Sequence, residues 1–294
     1  MMEIASKDRT ANWRAYYDMC KPRVVMMMIL TALVGMFLAV PGGVPLDILL
    51  WGNLGIALVA AAGAVINHLI DYRVDALMQR TVKRPLPQGK VSPRQALIFA
   101  LGICLLGMGI LLFLVNPLCA WLTLASFVGY AIVYTGYLKR ATPQNIVIGG
   151  LSGAMPPLLG WTAVTGTLDP GGILLVLIIF AWTPPHFWPL ALHRKKDYAK
   201  TDIPMLPLTH GDALTKLHIL LYTIIMLLVS VLPFLTGMSG PLYLVSALLL
   251  GAGFLYHALV LLLGNDSSSA LRTFRYSIVY LIALFIALLV DHYL

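Results

Sequence analysis

The sequence predicts an all-α, polytopic membrane protein of nine transmembrane helices, and three observations carry that expectation. Hydrophobic residues make up 60% of the 294-residue chain and charged residues 11%, against about 25% charged in an ordinary soluble domain. Nine apolar runs reach the roughly 18 residues that read as a membrane-spanning helix. All 20 Lys and Arg residues fall in the N-terminal tail, in alternate loops between those runs or within two residues of those loops.

Taken in order, the first run, 24–41, follows a polar tail with Lys7, Arg9, Arg14, Lys21 and Arg23, and ends at the Gly- and Pro-rich turn 41–46. The second, 50–68, leads into a loop of about 69–94 holding Arg73, Arg80, Lys83, Arg84, Lys90 and Arg94. Runs 95–115 and 118–138 are parted by Asn116 and Pro117, a turn signal. Lys139 and Arg140 precede run 144–165, and 166–170 turns the chain into 171–192. A second long loop, about 193–214, carries Arg194, Lys195, Lys196 and Lys200, with Lys216 at its end. Runs 215–235 and 241–263 are joined by 237–241, and 274–292 follows a loop with Arg272, Arg275 and the short polar patch 266–269. The basic residues thus collect on one side, which the positive-inside rule assigns to the cytoplasm. The N-terminus is expected inside and the C-terminus outside. No Ser/Gly linker divides the chain, so one domain is expected over 1–294. The long loops follow runs two and six, which suggests a weak repeat of four-helix units.

These features exclude some classes. The net charge of +8 is accounted for by basic residues attracted to anionic lipid beside the spans, so no nucleic-acid partner is expected. The first 23 residues are polar, unlike a secretory signal. Cys20, Cys104 and Cys119 have no metal spacing, and the latter two read as packing residues. Within the apolar runs Asp, Glu, Lys and Arg occur only near the ends, as Lys216, Arg275 and Asp291, whereas transporters place ionisable groups near the midplane.

Chemistry concentrates at the end of run two. Asn67, Asp71 and Asp75 are spaced by four, so on a helix they share a face with about 40° of drift per step. Carboxylates at a helix C-terminus meet the negative end of the dipole, so a solvated cap does not favour them. Two carboxylates with Lys83 and Arg84 nearby suit magnesium carrying a polyphosphate, since magnesium is usually held by one or two carboxylates plus substrate phosphates. The second loop repeats the mixture with Lys195, Asp197, Tyr198 and Asp202, but Asp197 and Asp202 are five apart. A solvated loop is the alternative there. Pro156-Pro157 and Pro184-Pro185 with Pro189 are expected to interrupt spans five and six, bordering a cavity. His186 lies in that kinked region, and an ionisable residue in a span is a functional candidate. His218 and His257 read as packing. Tyr130, Tyr134 and Tyr137, with Lys139 and Arg140, suit an interfacial belt, a phosphate contact, or aromatic faces beside a carbocation.

With these segments assembled, the chain resembles the UbiA superfamily of intramembrane prenyltransferases, and within it the haem O synthase branch. Asn67 to Asp75 matches the NxxxDxxxD motif, and Met78, Arg80, Thr81, Arg84, Pro85 and Leu86 continue it. Tyr134 to Arg140, Thr142, Asn145 to Gly150, Gly153 and Pro156-Pro157 are similar to the branch's central segment, as are Pro185-His186-Phe187, Asp197-Tyr198 and Ile203 to Pro207. The second motif departs from the superfamily's DxxxD. The resemblance implies a nine-helix ring around a central cavity in a bacterial inner membrane. Farnesyl diphosphate and haem B are the implied substrates, and haem O and diphosphate the products. Haem A synthase or a terminal oxidase is implied downstream. Asp71 and Asp75 would hold magnesium with Asn67 assisting, and Arg84 would act on the leaving group. Lys83, Tyr134, Lys139, Arg140, His186, Lys195, Asp197 and Tyr198 would contact substrate. A quinone-precursor prenyltransferase on the same architecture is the main rival.

Overall fold

Helices begin where the chain supplies a proline or a cap. In the computed structural model, which describes residues 13–79, 81–264 and 267–294 (Ser267 as backbone only), short α1 (Trp13–Met19) meets α2 (Pro22–Leu38) at a 50° bend. Lys7, Arg9, Arg80 and Asp266 lie outside the described residues. Next come α3 (Leu46–Asp75) and α4 (Pro93–Leu114). Ser92 caps α4 with Gln95 in a reciprocal capping box. α5 (Pro117–Val128), capped by Asn116, runs into a π-helix (Gly129–Leu138) and then α6 (Lys139–Ala141). The remaining elements are α7 (Asn145–Ala154), α8 (Pro156–Thr165), α9 (Pro170–His193), α10 (Lys195–Tyr198), α11 (Leu206–Thr209), α12 (Gly211–Leu235), α13 (Pro241–Leu263) and α14 (Ser267–His292).

Eight segments are long and apolar enough to cross a membrane, or nine if α1 and α2 form one bent span. All nine expected runs are helical, and no strand occurs among the described residues. The chain is an integral membrane protein.

α3 continues to Asp75, so the helix runs past residue 68 and carries the acidic motif at its end, as the spacing predicts. One sequence expectation changes. The prolines divide only one span. α7 and α8 part at Met155, but α9 stays helical through Pro184, Pro185 and Pro189, all buried against neighbouring helices. Packed neighbours and hydroxyls re-satisfy backbone freed by proline at membrane depth.

α2 packs on α8 and α3, α3 on α4, α9 on α12 and α14, α12 on α13 and α13 on α14, and α14 returns to α2, closing a ring. Close crossings depend on glycine. A Cβ at Gly35 or Gly160 would strike the backbone carbonyl of Pro157 or Ala32 across the α2–α8 contact. One at Gly107 would lie 2.9 Å from the Gly55 carbonyl across α3–α4. Lipid gives helices no hydrophobic drive to associate, so small residues that admit close backbone packing take that role.

Candidate active site

The polar end of α3 carries the motif on one face, as its spacing predicts. Asn67, Asp71 and Asp75 are all buried, Asp71 at 1% and Asp75 at 4% exposure. Buried carboxylates persist only when paired or hydrogen-bonded, and here the partners come from α3 itself, from α6 and from the loop after α3. Lys139 on α6 reaches Asp71 Oδ2 with Nζ at 2.5 Å, and Arg140 lies 3.5 Å from Asp71 Oδ1. Asn67 Nδ2 donates to Asp71 Oδ2 at 2.9 Å. The loop after α3 is pinned by Thr81 Oγ1 donating to the Asp75 carbonyl at 2.9 Å. It curls back so that Arg84 Nη1 meets Asp75 Oδ2 at 2.6 Å.

Two residues outside the sequence-based set complete the cluster. Lys21, in the break between α1 and α2, donates to Asn67 Oδ1 at 2.5 Å. Among the described residues it is the one non-glycine with positive φ, at 49°, a left-handed conformation rare for lysine. Such strain gathers at functional sites. Burial, then the nearby Arg84 and Lys139, depress its ammonium to about 7. Thr135 accepts from Asn67 Nδ2 at 3.3 Å and donates to the Tyr130 carbonyl five residues back at 2.9 Å, which follows the π-helical register. π-helices are rare and frequent at functional sites. The only sequence hint of Lys21 was a basic residue directly before the proline that opens a span. Thr135 left none, because a π register has no pattern in composition.

Four basic side chains therefore gather around two carboxylates, an excess of positive charge that suits an anion. Asp71 Oδ1 is buried without a hydrogen bond, an oxygen suited to a hard cation. Among the described residues, no group of three or more His, Cys, Asp or Glu gathers as a metal site. A cation here would need oxygens from a ligand, as magnesium commonly does. Asn67 departs from its expected role. Its oxygen is taken by Lys21 and its amide nitrogen by Asp71, so it braces Asp71 and does not offer a free oxygen.

An apolar cavity of about 210 Å³ opens from this cluster between α2, α3, α5, the π-helix, α7 and α8. Lys21 and Tyr130 line it together with Met28, Ile56, Gly63 and Phe127. Tyr134 stacks on Tyr130 with ring centroids 5.9 Å apart. Gly149 leaves the space that ring occupies, since a Cβ there would strike it.

The other expected residues lie elsewhere. Lys83 is exposed on the loop, and Arg84 alone of that pair turns inward. Lys195 pairs with Asp212 at 2.7 Å on the surface, because the break at Arg194 directs it away from α3. Asp197 accepts from the Gln79 backbone N–H at 3.2 Å, joining the two loops, and Asp202 is exposed. Tyr198, Ile203, Met205 and Leu206 are buried with Met78 and Ile146. His186 lies between α9 and α14. His218 and His257 pack against aromatic rings.

The UbiA prenyltransferase family profile matches residues 28–289. A protein named "Protoheme IX farnesyltransferase 1" from Pseudomonas putida (strain W619) is 64% identical over 294 residues, 100% of this chain and 99% of the relative. "Protoheme IX farnesyltransferase" from Hahella chejuensis (strain KCTC 2396) is 60% identical over 100% of this chain and 98% of its own length. A UbiA homolog from Archaeoglobus fulgidus, solved bound to GPP and Mg2+, shares the fold with TM-score 0.64 at 16% identity, covering 93% of this chain and 99% of that one. A digeranylgeranylglyceryl phosphate synthase structure has TM-score 0.81 at 18% identity, with coverage of 96% and 98%. The chain belongs to the UbiA prenyltransferase family.

Proposed function

We propose that this chain transfers the farnesyl group of farnesyl diphosphate to a vinyl group of haem B, giving haem O and diphosphate. The observation that carries the reading is the buried Asp71–Asp75 pair, held by Arg84, Lys139 and Arg140, with Lys21 linking that cluster through Asn67 to an apolar cavity that it lines. Full-length relatives at 60–64% identity that bear the protohaem farnesyltransferase name support it.

Asp71 and Asp75 would hold magnesium, and Asp71 Oδ1, which accepts no hydrogen bond, fits that role. Bound magnesium supplies Lewis-acid stabilisation of a departing oxygen. Arg84, Lys139 and Arg140 exchange their carboxylate contacts, and Lys21 its contact with the Asn67 amide, for diphosphate oxygens. Their fixed charge stabilises the leaving group more strongly in a dry site than in water. The carbon–oxygen bond breaks with its electron pair going to diphosphate, leaving an allylic cation. The haem vinyl π electrons form the new carbon–carbon bond, and water captures the resulting cation and loses a proton to give the hydroxyl. No protein nucleophile is needed. The apolar cavity holds the farnesyl tail and keeps water from the cation until the bond forms. Tyr130 and Tyr134 present ring faces near the mouth. His186 contacts haem. The polar end faces the cytoplasm of a bacterial inner membrane, the chain acts as one domain, and the product passes to a haem A synthase or a terminal oxidase.

The test is purified protein in detergent with haem B, farnesyl diphosphate and magnesium, with products weighed by mass spectrometry. Haem O is expected. Prenylation of 4-hydroxybenzoate with no haem product would replace haem by a quinone precursor.

A further inference from the structure

His186 sits two turns below the polar end of α9, seven residues or about 10 Å along the axis from His193. Its ring is held on three sides. Trp182 stacks on it at 4.0 Å and 17°, and Phe274 of α14 lies at 4.8 Å. Nδ1 is 2.7 Å from Ser277 Oγ. The Trp182 indole donates to the Ser277 carbonyl at 2.8 Å, fixing α14 against α9 at this level.

The proton count decides the tautomer. Ser277 has one hydroxyl proton, and it is donated to the Phe274 carbonyl at 2.6 Å. Toward His186 the oxygen can therefore only accept, so Nδ1 carries the hydrogen. The in-plane lone pair is then on Nε2, and no hydrogen bond among the described residues engages that atom. His186 also keeps part of its surface accessible. A neutral imidazole with one nitrogen donating to a fixed oxygen and the other free is the arrangement of a metal-ligating histidine. The metal that the proposed reaction brings is haem iron, for which an imidazole nitrogen is a common axial ligand.

We propose that Ser277 is a positioning residue that locks His186 in the Nδ1–H tautomer, so that Nε2 ligates the iron of the haem substrate. The inference rests on haem B being the acceptor and on His186 contacting it. It adds the ligating atom, the tautomer and the residue that sets them.

The test uses the full-length protein in nanodiscs, titrated with haem B and followed by its Soret band and by the iron–imidazole stretch in resonance Raman. Four chains are compared: wild type, His186→Ala, and Ser277→Thr and Ser277→Val, which differ from each other by a hydroxyl. Wild type should show the histidine-ligated signature and His186→Ala should lose it. Ser277→Thr should bind haem within about threefold of wild type. Ser277→Val should bind about 10-fold more weakly, the scale expected for loss of an outer-shell partner of a ligating histidine. Farnesyl diphosphate affinity should be unchanged in all. An unaltered spectrum in His186→Ala would overturn haem ligation by His186. Loss of the signature in His186→Ala with equal haem affinity in the Thr and Val variants would overturn the role of Ser277 alone.

Discussion

The end of α3 with its following loop and the loop after α9 both mix acids with cations, but they pack in opposite ways. Acids before the first loop stay on the helix, spaced by four, and are buried against Lys139, Arg140 and Arg84. Acids in the second follow a helix break at Arg194, spaced by five. Asp202 is exposed, and Asp197 binds a backbone N–H. What the second loop buries is apolar: Tyr198, Ile203, Met205 and Leu206 against Met78. One region concentrates charge at low dielectric, and the other packs apolar side chains against the loop that follows it. Similar composition therefore yields an electrostatic site in one place and a cover in the other. Whether the helix continues past the first acid decides which.

The sharpest way to break that contrast is to neutralise acids in both regions. Asp71→Asn or Asp75→Asn should lower kcat/KM for haem O formation by about 100-fold or more, the scale for removing a group that stabilises transition-state charge in a dry site. Asp202→Asn should stay near wild type. Chelation of magnesium with EDTA should abolish turnover in wild type, and excess magnesium should restore it. Equal losses from Asp71→Asn and Asp202→Asn, measured on protein of equal thermal stability, would put both regions on the metal.

Lys21→Met should come next. Methionine keeps the length of the chain but leaves Asn67 Oδ1 buried without its donor, and such an orphan costs about 1–3 kcal/mol. The expected outcome is a rise of about 10-fold in KM for farnesyl diphosphate, with haem affinity unchanged. A steady-state titration at fixed haem measures it. An unchanged KM would confine Lys21 to shaping the bend between α1 and α2.

Much of this was legible in the residues. The nine apolar runs, the sorting of Lys and Arg and the i, i+4 spacing fix the spans and one face of α3, because those patterns report helix period and membrane solvent directly. The cluster around the acids was only partly legible. Lys139 and Arg140 stood out as the basic pair after a span. Lys21 joins through a left-handed backbone and Thr135 through a π register, and neither conformation leaves a periodic signal. Lys83 and Arg84 are neighbours in sequence, so only the turn pinned by Thr81 decides which points inward. Pro184, Pro185 and Pro189 misled for a related reason. Proline breaks a helix in water, while packing against neighbouring helices keeps α9 helical here.

The cover is tested by stability more than by chemistry. Leu206 is 2% exposed, and Leu206→Ala should cost about 2–5 kcal/mol, as truncations in a packed core do. Thermal unfolding in detergent reads the loss. The magnesium concentration for half-maximal activity, measured below the melting temperature, should not move. A shifted magnesium midpoint would mean that the second loop shapes the acid pair as well as covering it.

The smallest effect should come from Lys195, the second loop's counterpart of Lys139. The Lys139 side chain is 20% exposed and meets a carboxylate side chain at 2%, while the Lys195 and Asp212 side chains pair at 38% and 53%. Exposed pairs of that kind contribute about 0–1 kcal/mol, because water and salt screen them and two long side chains lose freedom in pairing. Lys195→Ala should therefore change kcat/KM by less than about threefold, and that change should shrink further in 0.5 M salt. Lys139→Ala should lose far more, because it takes the nearest cation from a buried carboxylate. If Lys195→Ala matched Lys139→Ala at both salt concentrations, the second loop would have to swing its cation onto the substrate during turnover. The division between charged site and apolar cover would then describe only the resting protein.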